Sequence, residues 1–280
     1  VLNNAILDGY GYSLNPFLLF NILTLKELRD IIVDLNSKHL KYSVFGKLKN
    51  VIFANQYSSI VVLRLIGPIF KEIKIEGDIL SLGAGVEISE LMRFSMDNSI
   101  GGLEYMVGIP STIAGAAVGN SGAFGSEISD NIIKIECVNT EGKMLILNRD
   151  KIDFKYRSSN LGKFVLTKIF LKTILKSKIE IKEKMRTYVK KRHDVQDIKS
   201  SSCGCFFKNN SEHKAGVLIG SLGLKGHRRG GAIVSDKHAN FLISLDNSSS
   251  EDILSLKDAL QRRVWKDKKI WLEPEVKFIW

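Results

Sequence analysis

The sequence predicts an α+β chain built as three lobes, and three observations lead there. Helical stripes and short strand-like apolar runs are mixed without a strict alternation, a Gly-rich segment fills residues 101–125, and a Lys-rich connector then sets off a third segment with helices and strands of its own. The expected divisions are 1–69 for the first lobe, with 273–280 returning to it, 70–178 for the second and 185–272 for the third.

Thr24-Leu-Lys-Glu27 is a capping-box pattern, and Leu25, Leu28, Ile31, Ile32 and Leu35 follow it on one helical stripe. Strands are predicted at Tyr42 to Phe45, Val51 to Ala54, Ile60 to Leu65 and Ile79 to Leu82. A second helix is predicted from Ile88, Leu91, Met92 and Met96. Strands resume at Ile132 to Val138, Met144 to Leu147 and Val165 to Leu171. Beyond the connector, Ala215, Leu218, Ile219 and Leu222 form a helical face stopped by Gly223, and Ile253, Leu256, Leu260 and Val264 form another. Apolar runs at Ala232 to Val234 and Phe241 to Leu245 lie between those helices.

A chain of 280 residues, 44% of them apolar, buries either one large core or several smaller lobes around a cleft. Its net charge of +11 favours anionic ligands. The lysines are scattered from Lys26 to Lys277, however, and Glu180 and Glu183 interrupt the dense stretch from Lys172 to Arg192. That stretch reads as a solvated amphipathic connector, and no nucleic-acid partner is expected. Three cysteines make a disulfide framework unexpected. Cys203-Gly-Cys205 has no second cluster to complete a tetrahedral metal site, so no metal is expected either. The apolar run from Pro16 to Leu25 is far short of the ~20 residues that span a bilayer. It also lacks a basic lead-in and a small-residue cleavage site. The expectation is a cytoplasmic protein without membrane insertion, acting as a monomer.

Gly83-Ala-Gly85 lies between a strand and a helix but lacks the third glycine of a dinucleotide turn, which argues against a Rossmann reading. The stronger signal is 102–125, where small residues recur with neither helical nor strand period. Glycines there let backbone amides approach an anion such as a pyrophosphate, and a tightly packed turn region is the plainer alternative.

Here the motifs become specific. Gly108-Ile-Pro-Ser-Thr-Ile-Ala-Gly115 resembles G-I-P-G-T-V-G-G, Asn120-Ser-Gly-Ala-Phe-Gly125 resembles N-A-G-A-Y-G, and Tyr156-Arg-Ser-Ser159 resembles Y-R-x-S. Gly204-Cys-Phe-Phe-Lys-Asn209 resembles G-S-x-F-K-N, residues 215–241 parallel a substrate-domain segment, and Leu272-Glu-Pro-Glu-Val-Lys277 resembles L-E-P-E-V-R. In this order they resemble the UDP-N-acetylenolpyruvoylglucosamine reductase (MurB) family over most of the chain. The short connection from Arg157 to Val165 is similar to the family's second type, which lacks a longer insertion.

The resemblance implies a two-lobed FAD-binding region of the vanillyl-alcohol-oxidase (PCMH) type with a C-terminal α/β lobe that binds the UDP-sugar. It implies NADPH as the hydride source for FAD, and reduction of the enolpyruvyl ether to UDP-N-acetylmuramate in peptidoglycan synthesis. By motif, Arg157 holds the enolpyruvyl carboxylate and stabilises the enolate-like intermediate, Cys205 delivers the proton, and Glu275 assists as a neutral acid in a buried setting. The FAD-binding positions implied are Gly46, Asn50, Gly83, Gly85, Gly108, Ile109, Pro110, Ser111, Thr112, Gly115, Asn120 and Gly122. Lys208 and Asn209 are candidates for the nucleotide or sugar, with Arg228 and His238 on the diphosphate or uracil side. Read without the family, Arg157 and Glu275 are equally a surface arginine and a solvated acid, and His238 a satisfied core histidine.

The chain departs from the family pattern in places. Cys205 stands where a serine is expected; a thiol, with a free pKa of about 8.5, is the better acid. Its alternatives are a small buried hydrophobe and one half of a redox-sensing pair with Cys203. Gly46-Lys-Leu-Lys-Asn50 replaces G-G-G-S-N, and Ser111 and Ala114 replace glycines, which adds atoms beside the expected pyrophosphate while Lys47 and Lys49 add positive charge. Two other readings therefore stand beside the reductase: a non-catalytic UDP-sugar-binding relative that has lost FAD, and a flavin oxidase of the wider fold, which the short C-terminal lobe disfavours.

Overall fold

The capping pattern at Thr24 starts helix α1 (Leu25–Ser37): the Thr24 hydroxyl accepts the Glu27 amide at 3.1 Å, and Leu28, Ile32 and Leu35 are buried. The computed structural model describes residues 6–280 except 56, 198, 199, 211 and 247, and it does not describe the Tyr57 side chain. The first five residues of the expected first lobe lie outside the described residues. Two units emerge: a middle unit of Pro16–Lys47 and Ser59–Lys190, and a terminal unit of Val1–Asn15, Leu48–Ser58 and Lys191–Trp280.

The middle unit is organised by a five-stranded antiparallel sheet in the order Met144–Asn148, Ile132–Val138, Val165–Lys172, Ile79–Gly83, Ile73–Glu76. The central strand Val165–Lys172 buries Val165, Leu166, Ile169 and Leu171, so it reads as a nearly continuous apolar run. Beside α1 lies a second sheet in which Tyr42–Val44 pairs in parallel with Tyr57–Leu65, flanked by Ser13–Ile22. Helix α2 (Ile88–Asp97) opens with a capping box between Glu87 and Glu90 and buries Ile88, Leu91 and Met92. The Gly-rich segment contains a helix that its composition hides, α3 (Ile113–Val118), capped by Thr112. The Lys-rich connector is helix α4 (Lys178–Val195), with Ile181 and Met185 buried in its first half.

The terminal unit packs helices α5 (Ala215–Ser221) and α6 (Ser250–Lys268) with a three-stranded sheet of Arg228–Arg229, Ala232–Val234 and Leu242–Ser244. The four residues predicted to face inward on α6, namely Ile253, Leu256, Leu260 and Val264, are all fully buried. The chain's last strand, Lys277–Ile279, pairs in parallel with Val51–Phe53. Gly223 has φ +67°, the left-handed backbone that makes it the stop after α5.

Because Leu260 is fully enclosed, Leu260→Ala is expected to lower unfolding stability by about 2–5 kcal/mol in urea titration monitored by circular dichroism.

Candidate functional site

In the middle unit, Phe154–Lys155 and Ser158–Ser159 pair as a minimal hairpin whose turn is Tyr156–Arg157. Arg157 sits at φ 55°, a left-handed conformation that is costly for a long side chain and is held here by what the guanidinium finds. Its Nη2 donates to the Gly122 carbonyl at 2.8 Å and Nη1 to the Asn120 carbonyl at 3.4 Å, with Glu127 Oε1 3.6 Å away. The guanidinium carbon lies 4.8 Å from the centre of the Tyr156 ring. Ser159 donates to the Val118 carbonyl at 2.8 Å, which fastens the hairpin to the end of α3. The Y-R-x-S spacing thus gives each of its residues a physical task.

Asn120, also left-handed at φ 44°, is 1% exposed. Its amide nitrogen donates to Glu127 Oε2 at 2.7 Å and to the Lys155 carbonyl at 3.1 Å, and its oxygen accepts the Ser129 amide at 3.3 Å. Its side chain therefore serves the protein. At Gly122 an added Cβ would lie 2.3 Å from the Ser126 carbonyl oxygen, so no larger residue fits that turn.

The other residues expected around FAD converge in the same unit, apart from Asn50. A Cβ on Gly46 would lie 2.7 Å from Thr112 Oγ1, so the Gly46 turn rests directly on the Gly108–Gly115 loop. That loop is tied to the Gly83–Gly85 turn, since Ala114 N donates to Ala84 O at 3.3 Å and Ile113 N to Val86 O at 2.8 Å. Gly108 has φ +78° and is exposed, as is Pro110, while Ile109 packs against the core. The amides of Ile109, Ser111 and Gly115 bond to Met106 O, Ile109 O and Thr112 Oγ1 respectively. The amides of Gly83 and Gly85 go to Glu72 O and Phe70 O, and Cβ atoms on them would meet backbone atoms of Phe70 and Leu65. Gly83 and Gly85 are thus buried against backbone, whereas Gly46 and Gly115, which rest on side-chain atoms of the loop, and Gly108 are exposed.

The residues that depart from the motif fit this arrangement. Ser111 Oγ donates to Thr112 O at 2.9 Å, so the extra hydroxyl is satisfied inside the loop, and the Ala114 methyl packs on the core. Lys47 pairs with Glu87 at 2.5 Å, and its hydrogen bond is the main cause holding the Glu87 carboxyl below its usual range.

In the terminal unit, the G-C-F-F-K-N and L-E-P-E-V segments are backbone neighbours. Glu275 N donates to Phe206 O and Lys208 N to Glu273 O, both at 2.8 Å, around a Phe207–Pro274 bridge. On the other edge Phe206 N donates to Asn240 O at 2.8 Å, and the Asn240 side chain brackets Phe207, accepting its N–H at 2.9 Å and donating to its carbonyl at 2.8 Å. Asn50 Nδ2 reaches the Glu275 carbonyl at 3.3 Å and Asn50 O accepts the Lys277 amide, so this residue holds the chain that carries Glu275. Cys205 and Glu275 are both half-buried, so Glu275 lacks the full enclosure that a neutral carboxyl was expected to need. Cys203 is buried, donates to Val51 O at 3.5 Å and has its thiol pKa raised mainly by burial. Among the described residues no group of three or more His, Cys, Asp or Glu could hold a metal ion.

Lys208 forms an ion pair with Glu273 at 2.5 Å. Asn209 Oδ1 accepts the Ala215 amide at 3.0 Å and so caps α5. Arg228 is exposed and donates to Gly230 O at 2.7 Å. His238 is half-buried, its Nδ1 accepting the Asn240 amide at 3.2 Å and its ring tilted against Phe241 at 4.9 Å. Sequence reasoning missed Glu127 and Asn240, whose roles come from partners distant in sequence with no spacing to announce them.

Residues 19–148 match an FAD binding domain model, and 196–279 match the model described as UDP-N-acetylenolpyruvoylglucosamine reductase, C-terminal domain. The UDP-N-acetylenolpyruvoylglucosamine reductase of Rickettsia peacockii (strain Rustic) is 33% identical over 266 residues, covering 95% of this chain and 90% of that protein. The chain belongs to the MurB family. The reductase of Orientia tsutsugamushi (strain Ikeda) is 34% identical over 250 residues, 86% of this chain and 81% of its own. The crystal structure of MurB from Thermus caldophilus superposes with a TM-score of 0.83 at 28% identity, covering 98% of both chains. The FAD-binding match spans the candidate residues from Gly46 to Gly122, and the MurB C-terminal match spans those from Cys205 to Glu275.

Burial is the main cause lowering the His238 pKa below its ordinary 6.5, so in that window the unfolded chain takes up a proton that the folded chain refuses. Stability is therefore expected to fall as pH drops below 6.5, and His238→Phe to flatten that part of the profile in melting curves taken from pH 7.5 to about 5.

Proposed function

We propose that this chain catalyses the NADPH-dependent reduction of UDP-N-acetylenolpyruvoylglucosamine to UDP-N-acetylmuramate with FAD as its bound cofactor. The observation that carries the reading is the backbone pairing of the Cys205 segment with the Glu275 segment, which puts the proposed proton donor and its assisting acid on neighbouring stretches of one unit. The residues that would hold FAD are those around Gly46, Gly108–Gly115 and Gly122. The chemistry it supplies when bound is hydride transfer, from NADPH and on to the methylene carbon of the enolpyruvyl ether.

Arg157 binds the enolpyruvyl carboxylate as a permanent cation and offsets the charge that grows there as the methylene carbon gains its hydride. The Cys205 thiol gives its proton to the neighbouring carbon, which completes addition across the double bond. Glu275 assists as a hydrogen-bond donor to the developing negative charge, a role that requires the bound substrate to complete the enclosure its half-buried setting begins. Lys208 and Asn209 contact the nucleotide or sugar, and Arg228 and His238 lie on the diphosphate or uracil side. The reaction belongs to cytoplasmic peptidoglycan synthesis, serving cell-wall biogenesis and through it cell shape and division, and the enzyme works as a monomer. Among the described residues no helix is long and apolar enough to cross a membrane. No observation favours a UDP-sugar-binding relative without FAD.

An anaerobic absorption spectrum tests the cycle. The expected result is a flavin band that NADPH bleaches and the enolpyruvyl sugar nucleotide restores; a protein that takes up no flavin when FAD is added rules the proposal out. Cys205→Ser is expected to retain turnover and Cys205→Ala to lose about 100-fold or more in kcat, measured by NADPH oxidation. An unimpaired alanine variant removes the thiol from the mechanism.

A further inference from the structure

The carboxylate of Glu127 stands between the two residues that shape the Arg157 corner. One oxygen, Oε2, accepts the Asn120 amide nitrogen at 2.7 Å, and the other, Oε1, lies 3.6 Å from Arg157 Nη1. Arg157 also donates to the carbonyls of Gly122 and of Asn120 itself, so Glu127 and Asn120 act on it jointly. The side chains of Arg157 and Glu127 keep 20% and 32% of their exposure, so this is a partly desolvated pair rather than a fully screened one. Glu127 is in turn fixed from its own backbone: its amide donates to Asp130 Oδ2 at 2.8 Å and its carbonyl accepts the Tyr105 hydroxyl at 3.1 Å. An acid this firmly placed can hold a guanidinium plane in one orientation.

We propose that Glu127 is a positioning residue for Arg157, presenting its guanidinium to the carboxylate of the enolpyruvyl sugar nucleotide. The proposal rests on the reductase reading given above. Glu127 itself touches neither substrate nor cofactor; it acts through Arg157, directly as a counter-charge and indirectly by locking Asn120, whose carbonyl is another of the arginine's acceptors.

Glu127→Gln probes this role. The glutamine oxygen can still accept the Asn120 amide, while the end that faces Arg157 becomes an NH2 group, and donor then meets donor. The Glu127 side chain also accepts the Asp130 amide in a capping box, and damage there is read out by the NADPH half-reaction below. The variant is expected to bind the enolpyruvyl sugar nucleotide about tenfold more weakly in calorimetry with the oxidised holoenzyme, and to slow reoxidation of the reduced flavin by that substrate about tenfold. Flavin reduction by NADPH is expected to stay within about twofold of wild type, because it does not use Arg157. Glu127→Asp, which restores the charge at shorter reach, is expected to recover part of the loss. In an Arg157→Lys background Glu127→Gln should add less than about twofold, since the partner it positions has already gone.

Unchanged binding and reoxidation in Glu127→Gln overturns the proposal. So does an undiminished tenfold cost in the Arg157→Lys background, and so does an equal loss in both half-reactions, which marks general damage to the fold. If wild-type protein itself shows no flavin reduction by NADPH and no reoxidation by the sugar nucleotide, the reductase reading falls and takes the proposal with it.

Discussion

A primary amide sealed away from water has to find its partners in the protein, and Asn120 and Asn240, each 1% exposed, meet that demand at the places where the candidate residues are held. In the terminal unit, the segment around Cys205 takes part in isolated bridges rather than a long ladder. The Asn240 side chain supplies there what a neighbouring strand would, satisfying both backbone groups of the fully enclosed Phe207. In the middle unit Asn120 binds the start of the N-S-G-A-F-G turn to the hairpin that bears Arg157. Leaving a buried donor or acceptor unmet costs about 1–3 kcal/mol each, so alternative loop conformations that break these contacts are disfavoured by several such terms at once. The loops are irregular and still uniquely placed.

Charge is handled by a different rule. Lys47 and Lys208 each sit beside a carboxylate, those of Glu87 and Glu273 respectively, and both pairs are partly exposed. Pairs of this kind are worth about 0–1 kcal/mol. A strongly basic chain needs such partners to limit self-repulsion, yet an anionic ligand can displace them at little cost. The net +11 is thus not a set of waiting cations at these positions; the side chains are already partnered, weakly enough to exchange.

How much of this was legible follows from which physical signals are local. The stripes of α1 and α6 and the central apolar run Val165–Lys172 are periodic over many residues, and the structure matches them closely. The ten-residue strand Ser13–Ile22 was not predicted, because Pro16 argues against a strand and the run from Phe17 to Phe20 shows no in–out alternation. Helix α3 escaped notice because six residues of mostly small side chains hold too little amphipathic contrast to read. The glycines carry a demand that sequence does not reveal: the missing side chains of Gly83 and Gly85 make room for the backbone of Phe70 and Leu65, and no local pattern announces that packing.

The two cysteines on either side of Gly204 show how burial, rather than residue type, divides roles. Gly204 turns the chain at φ +77°, so the residues on its two sides meet different surroundings. Cys203 lies against Gly9, where an added Cβ would come within 2.9 Å of its sulfur, and it has lost the access to water that a thiolate requires. With its pKa raised by burial and by the nearby Asp8 carboxylate, it is a poor nucleophile and a poor member of any disulfide-forming pair. Cys205 retains partial exposure and lies one residue from the backbone bond that joins Phe206 to Glu275. That position, half-open to solvent and next to the fully buried Phe206 and Phe207, is what supports the proton-donor role proposed for Cys205. For the proton transfer proposed above, a thiol, with an ordinary pKa of about 8.5, is by its chemistry a better acid than a serine hydroxyl.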